Sequence, residues 1–124
     1  MADHTLTRVP QDIYPRAAEV IRTLGWSQGR FITEEADKPL ERSPVCVIEA
    51  LCRGAGLAPK AWCRLPSEHL VEVMAAIEVL ALQLGDDPND PEASAIERLI
   101  RWNDAAERTV PDVLALLDAA ANRP

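Results

Sequence analysis

Apolar positions recur along this chain at helical rather than alternating spacing, and five segments carry the pattern. From Pro15 to Leu24, Ala17, Ala18, Ile21 and Leu24 fall on one face. Pro15 suits the first helical position and Gly25 the left-handed position after the last turn. A second helix is predicted from Ser43 as N-cap and Pro44 at N1, with Val45, Ile48, Leu51, Cys52 and Ala55 inward. Glu49 and Arg53 pair at i,i+4 on its other side, and Gly54 and Gly56 end it.

The third segment, Ser67 to Gly85, is the most apolar. Leu70, Val73, Met74, Ile77, Leu80, Ala81 and Leu84 mark one face, while Val71, Val79 and Leu82 add apolar surface elsewhere. In its body only Glu68, Glu72, Glu78 and Gln83 are clearly polar, which predicts a helix surrounded by the others. The fourth opens on Asp90-Pro91-Glu92, with acids at the positive end of the helix dipole. It turns Ala93, Ile96, Leu99 and Ile100 inward, pairs Glu97 with Arg101 and ends at Asn103-Asp104. The fifth begins at Thr109, where Thr-Val-Pro-Asp forms a capping box with Asp112, and buries Val113, Leu114, Leu117 and Ala120 or Ala121.

Residues 25–43 hold no sustained period. Arg30 to Thr33 suits an extended piece, but no second strand is available to pair with it. Ala58 to Arg64 suits one further turn carrying Trp62, and Asp86 to Pro91 reads as a turn. The fold expected is all-α: a compact bundle of about five helices around a central apolar helix spanning residues 67–85. One helical domain covers 1–124, with 1–12 and 122–124 loosely ordered.

Composition narrows the function more than the fold. A chain of 124 residues, 48% apolar, can bury a core without staples. Its net charge of −7 opposes binding to nucleic acid or to an anionic membrane. The 13 basic residues are interspersed with the 20 acids, which argues against a contiguous acidic face that imitates a nucleic-acid backbone. Met1 to Pro10 holds no apolar signal region, and no run approaches a membrane span. With no export signal, Cys46, Cys52 and Cys63 read as reduced thiols of a cytoplasmic protein.

Candidate chemistry is sparse. The series Cys46, Cys52, Cys63 and His69 lacks zinc-site spacing, and Cys46 and Cys52 lie on different sides of one helix. The acidic turn 86–92 has two prolines and no glycine, unlike a calcium loop. Gly25, Gly29, Gly54 and Gly56 make no phosphate-binding pattern, so no metal or cofactor is expected. Cys46 is the candidate nucleophile, because a helix N-terminus can lower a thiol pKa, with His69 as a conceivable base. Trp26, Trp62 and Trp102 lie near helix ends and suit either packing or a partner surface. Gln28, Asn103 and Asp104 also lie at helix ends. They either satisfy free backbone groups there or join a flanking Trp in a small polar pocket.

Leu24-Gly25-Trp26-Ser27-Gln28-Gly29, and Trp102-Asn103-Asp104 followed by Arg108-Thr109 and a terminal Val-Leu-Ala-Leu-Leu-Asp-Ala-Ala helix, together resemble a family of small uncharacterised proteins of actinobacteria and their phages. The resemblance spans most of residues 14–121 and implies an origin and a fold but no activity. One departure is Cys46-Val47-Ile48-Glu49-Ala50, where the family pattern has Gly in place of Glu49. The expected function is a non-catalytic protein-interaction module that binds a protein partner or itself, with Trp26, Gln28, Trp102, Asn103 and Asp104 as binding residues. The alternative is a small enzyme or small-molecule-binding protein with its site at Gln28, Asn103 and Asp104 or at Cys46.

Overall fold

A computed structural model describes residues 12–30, 32, 39–60, 68–85 and 90–123. Five α-helices pack together: α1 (Ile13–Leu24), α2 (Val47–Gly54), α3 (Glu68–Leu82), α4 (Ala95–Asn103) and α5 (Val110–Ala121). A 3₁₀ turn, Leu40–Arg42, precedes α2, and there is no strand among the described residues. Helix α1 lies against α2 and α5, α3 against α4, and α2 also touches α3 and α4.

Helix α1 starts before Pro15. Asp12 precedes it and ion-pairs with Arg16 at 2.9 Å. Ile13, Tyr14, Ala17, Ala18 and Ile21 form its buried face. The Tyr14 hydroxyl donates to the Ala76 carbonyl of α3 at 3.0 Å, and burial pushes the phenol up to about 12. The approach of α1 to α2 depends on Gly54, because a Cβ there would lie 2.9 Å from the Ile13 carbonyl oxygen and 3.0 Å from the Ala17 nitrogen. Both are backbone atoms, so no rotamer change relieves the clash.

The start of α2 differs from the sequence expectation. Cys46, not Ser43, is the N-cap, and the Ser43 hydroxyl donates instead to the Pro39 carbonyl. Val45 is held extended. Its N–H donates to the Gly25 carbonyl, its carbonyl accepts from Ser27 N–H, and it bridges both Trp26 and Ile32. Those bonds bar Pro44 and Val45 from helical geometry. They also give the extended residue Ile32 the partner that seemed missing.

Helix α2 is the most enclosed element, with Val47 to Cys52 and Gly54 all buried. Helix α3 supplies Val73, Ala76, Ile77, Leu80 and Ala81 to the core. Its Val71, Met74 and Leu82 remain exposed, so the longest apolar run lines the bundle on one side and the short α2 takes the middle. The expectation that Met74 shares the buried face is therefore corrected. Ser67, the expected cap of α3, lies outside the described residues, as do residues 1–11 and 124 of the two termini expected to be loosely ordered.

Helix α4 begins at Ser94, later than the Asp90-Pro91-Glu92 turn. Ser94 and Glu97 make a reciprocal capping box, which overrides the acid-and-proline signal upstream. Glu97 therefore turns back to the Ser94 N–H, whose hydrogen bond holds its carboxyl below the usual value, while Arg101 reaches Asp90 at 3.1 Å. The Thr109–Asp112 box of α5 forms as its spacing predicts, and Val113, Leu116, Leu117 and Ala120 are buried. Asn122 closes α5 through hydrogen bonds from its amide to Asp118. Among the described residues, no helix is long and apolar enough to cross a membrane.

Candidate functional site

The first turn of α2, the last turn of α4 and the segment after α1 meet at one pole of the bundle. Asn103, the last residue of α4 and 1% exposed, sits where they join. Its Oδ1 accepts from Trp26 Nε1 at 2.8 Å and from the Val47 N–H at 3.0 Å. Its Nδ2 donates to the Ser27 carbonyl at 3.0 Å and to Asp104 Oδ1 at 2.9 Å. One primary amide offers two donors and two lone pairs, and all four are used.

Gln28 and Asp104 extend the network outward. Gln28 Nε2 donates to the Asn103 carbonyl at 3.0 Å and the Ala105 carbonyl at 2.8 Å, satisfying backbone acceptors that the end of α4 leaves open. The Gly29 N–H donates to Asp104 Oδ1 at 2.9 Å. Gly29 has φ +82°, a conformation that glycine adopts without steric cost. Trp26, Gln28, Asn103 and Asp104 are thus brought together, and their polar groups mainly serve one another and nearby backbone.

Trp102 stands apart from this network. It is half-buried, and the Arg108 guanidinium lies over its ring, 4.1 Å from the centroid. Arg108 Nε also donates to the Trp102 carbonyl at 2.9 Å, so the cation is tied to the turn that carries the ring.

A pocket of about 380 Å³ opens beside the network. Cys46, Ile48 and Ile100 give it apolar walls, and Gly29, Arg30, Asn103 and Asp104 complete the lining. Arg30 and Asp104 are exposed, whereas Cys46 and Ile48 are buried. Sequence patterning gave Ile48 and Ile100 only a core role and gave Arg30 none. Arg30 sits in an aperiodic segment, where the pattern carries no signal.

The chemistry of Cys46 runs against its expected reactivity. Its Sγ accepts from the Glu49 N–H at 3.5 Å and so caps α2. The residue is 4% exposed, and burial pushes the thiol up to about 12, outweighing hydrogen bonds from Glu49 and Ile48 that favour the thiolate. At neutral pH the group is a protonated thiol, poorly suited to nucleophilic attack. Cys52 is fully buried. Cys63 and Trp62 lie outside the described residues, as does the side chain of His69. Among the described residues, no three His, Cys, Asp or Glu side chains are placed to share a metal ion.

Glu49, one turn into α2, is a polar group the sequence placed on the wrong side. It is fully buried rather than facing solvent. Its Oε2 accepts from Arg53 Nε at 2.9 Å and from the Lys60 N–H at 3.1 Å, while Oε1 is buried with no hydrogen-bond partner among the described residues. Burial raises the carboxyl above its ordinary value, against the opposing pull of Lys60 and Arg53. The turn after α2 covers this residue, and α2's own periodicity does not report that cover.

No curated protein and no solved structure matches the chain. The model of a family of unknown function, DUF6197, matches residues 6–123. That span takes in the whole bundle and both halves of the Asn103 network, and the chain belongs to this family.

Proposed function

We propose that the protein is a non-catalytic interaction module that takes an apolar side chain of a partner protein into the pocket between the start of α2 and the end of α4. The pocket carries this proposal. Its walls at Ile48, Ile100 and Cys46 are apolar, and its exposed charged residues, Arg30 and Asp104, are of opposite sign. Such a lining favours an apolar group attached to a neutral, dipolar main chain over a strongly charged ligand. The polar groups of Asn103 are saturated, leaving none to activate a substrate. The protonated Cys46 thiol weighs against nucleophilic catalysis.

The volume, about 380 Å³, also lies in the range of roughly 300–1,000 Å³ usual for small-molecule sites. A small apolar ligand is therefore the second reading. The actinobacterial or actinophage lineage is a proposal that rests on the sequence motifs Gly25-Trp26-x-Gln28-Gly29 and Trp102-Asn103-Asp104 alone; in the fold Trp26, Gln28 and Gly29 of one bond directly to Asn103 and Asp104 of the other.

The test is to fill the pocket from its wall with Ile100→Trp and recover partners from the native host in parallel with the parent protein. A partner lost from the variant, with unchanged circular dichroism, supports the proposal. Equal recovery refutes it. A fragment screen by protein-observed NMR separates the second reading, in which small apolar molecules shift Ile48 and Ile100 resonances without any protein partner.

A further inference from the structure

Helix α3 presents a second surface, distant in sequence from the pocket. Val71, Met74, Glu78 and Leu82 are spaced by three, four and four residues, which places them in one stripe along the helix. Val71 is 52% exposed, Met74 38% and Leu82 63%. The opposite face, Val73, Ala76, Ile77, Leu80 and Ala81, is buried in the core, so this stripe is a true outer face and not a gap in packing.

The acids on this helix say what can cover it. Glu78 lies inside the stripe, between Met74 and Leu82, and Glu72 lies beside it; both are exposed. Glu78 has no ion-pair partner among the described residues. From residue 68 to residue 85 the chain has no Lys or Arg. A partner seated on Val71, Met74 and Leu82 must remove water from Glu78, and a carboxylate desolvated without a counter-charge is strongly unfavourable. A purely apolar occupant is disfavoured for that reason. The α3 face of a second copy is disfavoured too, since it brings carboxylates and no cation.

We propose that this face of α3 docks a basic amphipathic helix of a partner protein, whose apolar residues cover Val71, Met74 and Leu82 while a Lys or Arg meets Glu78. This is helix-on-helix recognition through i, i+3, i+4 and i+7 anchors, with the charge at the centre setting register. It does not depend on the pocket proposal, because no residue of the stripe lines that pocket.

The experiment titrates the full chain with a synthetic amphipathic Leu/Lys helix and a matched Leu/Glu helix, by fluorescence anisotropy. The Leu/Lys peptide is expected to bind the parent chain and the Leu/Glu peptide is not. Glu78→Lys should weaken the Leu/Lys peptide at least about tenfold and create binding of the Leu/Glu peptide. Leu82→Glu, at a position already open to solvent, should weaken the Leu/Lys peptide by a similar factor. Glu107→Lys, an exposed site between α4 and α5, makes the same change in net charge and should have little effect. Loss of affinity equal to that of Glu78→Lys would reduce the effect to bulk charge and overturn the proposal. So would the absence of Leu/Lys binding, or a parent dimer that Leu82→Glu dissociates.

Discussion

Two buried polar side chains flank α2, and they are solved in opposite ways. Asn103 meets the helix at its first turn as a neutral amide with every donor and acceptor engaged. Glu49, inside the helix, is a carboxylate with one oxygen held by Arg53 and Lys60 and the other without a partner among the described residues. A saturated neutral network adds order without a charge to desolvate. A buried ion pair with an orphan oxygen carries a desolvation cost that its contacts only partly offset. The contrast predicts that Asn103 contributes strongly to stability, whereas Glu49 contributes little and with an inverted pH dependence.

The largest expected effect is at Asn103. Asn103→Ala strips the acceptor from Trp26 Nε1 and the Val47 N–H and the donor from the Ser27 carbonyl. Leaving such buried groups unpaired should cost about 3–4 kcal/mol, read as a lower urea midpoint with an unchanged slope. A loss below about 1 kcal/mol would show that water replaces the amide readily, and the contrast would collapse.

Arg53→Met comes next. It removes the guanidinium, 10% exposed at the side chain, from a fully buried carboxylate, which should cost about 2–3 kcal/mol at neutral pH. Much of that loss should be recovered in acid, where Glu49 is protonated. Glu49→Gln should change stability at neutral pH by less than about 1 kcal/mol, because its carbonyl can still accept from Arg53 and Lys60 while the buried charge is gone.

The sign of the pH effect follows from the raised carboxyl of Glu49. The folded chain holds that proton more tightly than the unfolded chain does. Its contribution is therefore fully present below the unfolded glutamate value, and it is lost as pH rises through the higher folded value. Glu49→Gln should remove that decline from a stability profile taken between acid and neutral pH. A parent profile in which stability instead rises through this window, with the rise abolished in Glu49→Gln, would mean that the ion pair outweighs burial.

The smallest effects are local. Thr109→Ala removes the hydroxyl that caps α5, at a cost of about 1 kcal/mol in thermal or urea unfolding. Cys46 should resist alkylation near neutral pH and react only on unfolding, as mass mapping of labelled peptides would show. Rapid labelling of Cys46 in the native state would contradict a thiol pushed up to about 12.

What the sequence made legible was mostly local. The Thr109-x-x-Asp112 box and the ends of α4 and α5 needed only neighbours along the chain. The true start of α4 was also written there, in Ser94-x-x-Glu97, but the Asp90-Pro91-Glu92 signal masked it. The displaced start of α2 was not legible, because Val45 is drawn out of the helix by Gly25, Ser27 and Ile32, partners set by tertiary packing. Glu49 was misplaced for a similar reason, since the turn at Lys60 buries a position that helical spacing alone turns outward. The meeting of Trp26, Gln28, Asn103 and Asp104 could be anticipated from helix ends gathering at one pole. The saturation of Asn103, and the pocket beside it, could not.

The Asn103 bonds to Trp26 and Val47 join residues 77 and 56 positions apart. During synthesis α1 and α2 precede α4 along the chain, and Val47 and Trp26 are made long before this amide arrives. Until then the first turn of α2 and the indole of Trp26 wait in water, and the loop that joins them to Asn103 must close at an entropic cost. The pole of the bundle that carries the pocket therefore closes only after α4 has been made, and until then its unpaired groups are open to capture by another chain.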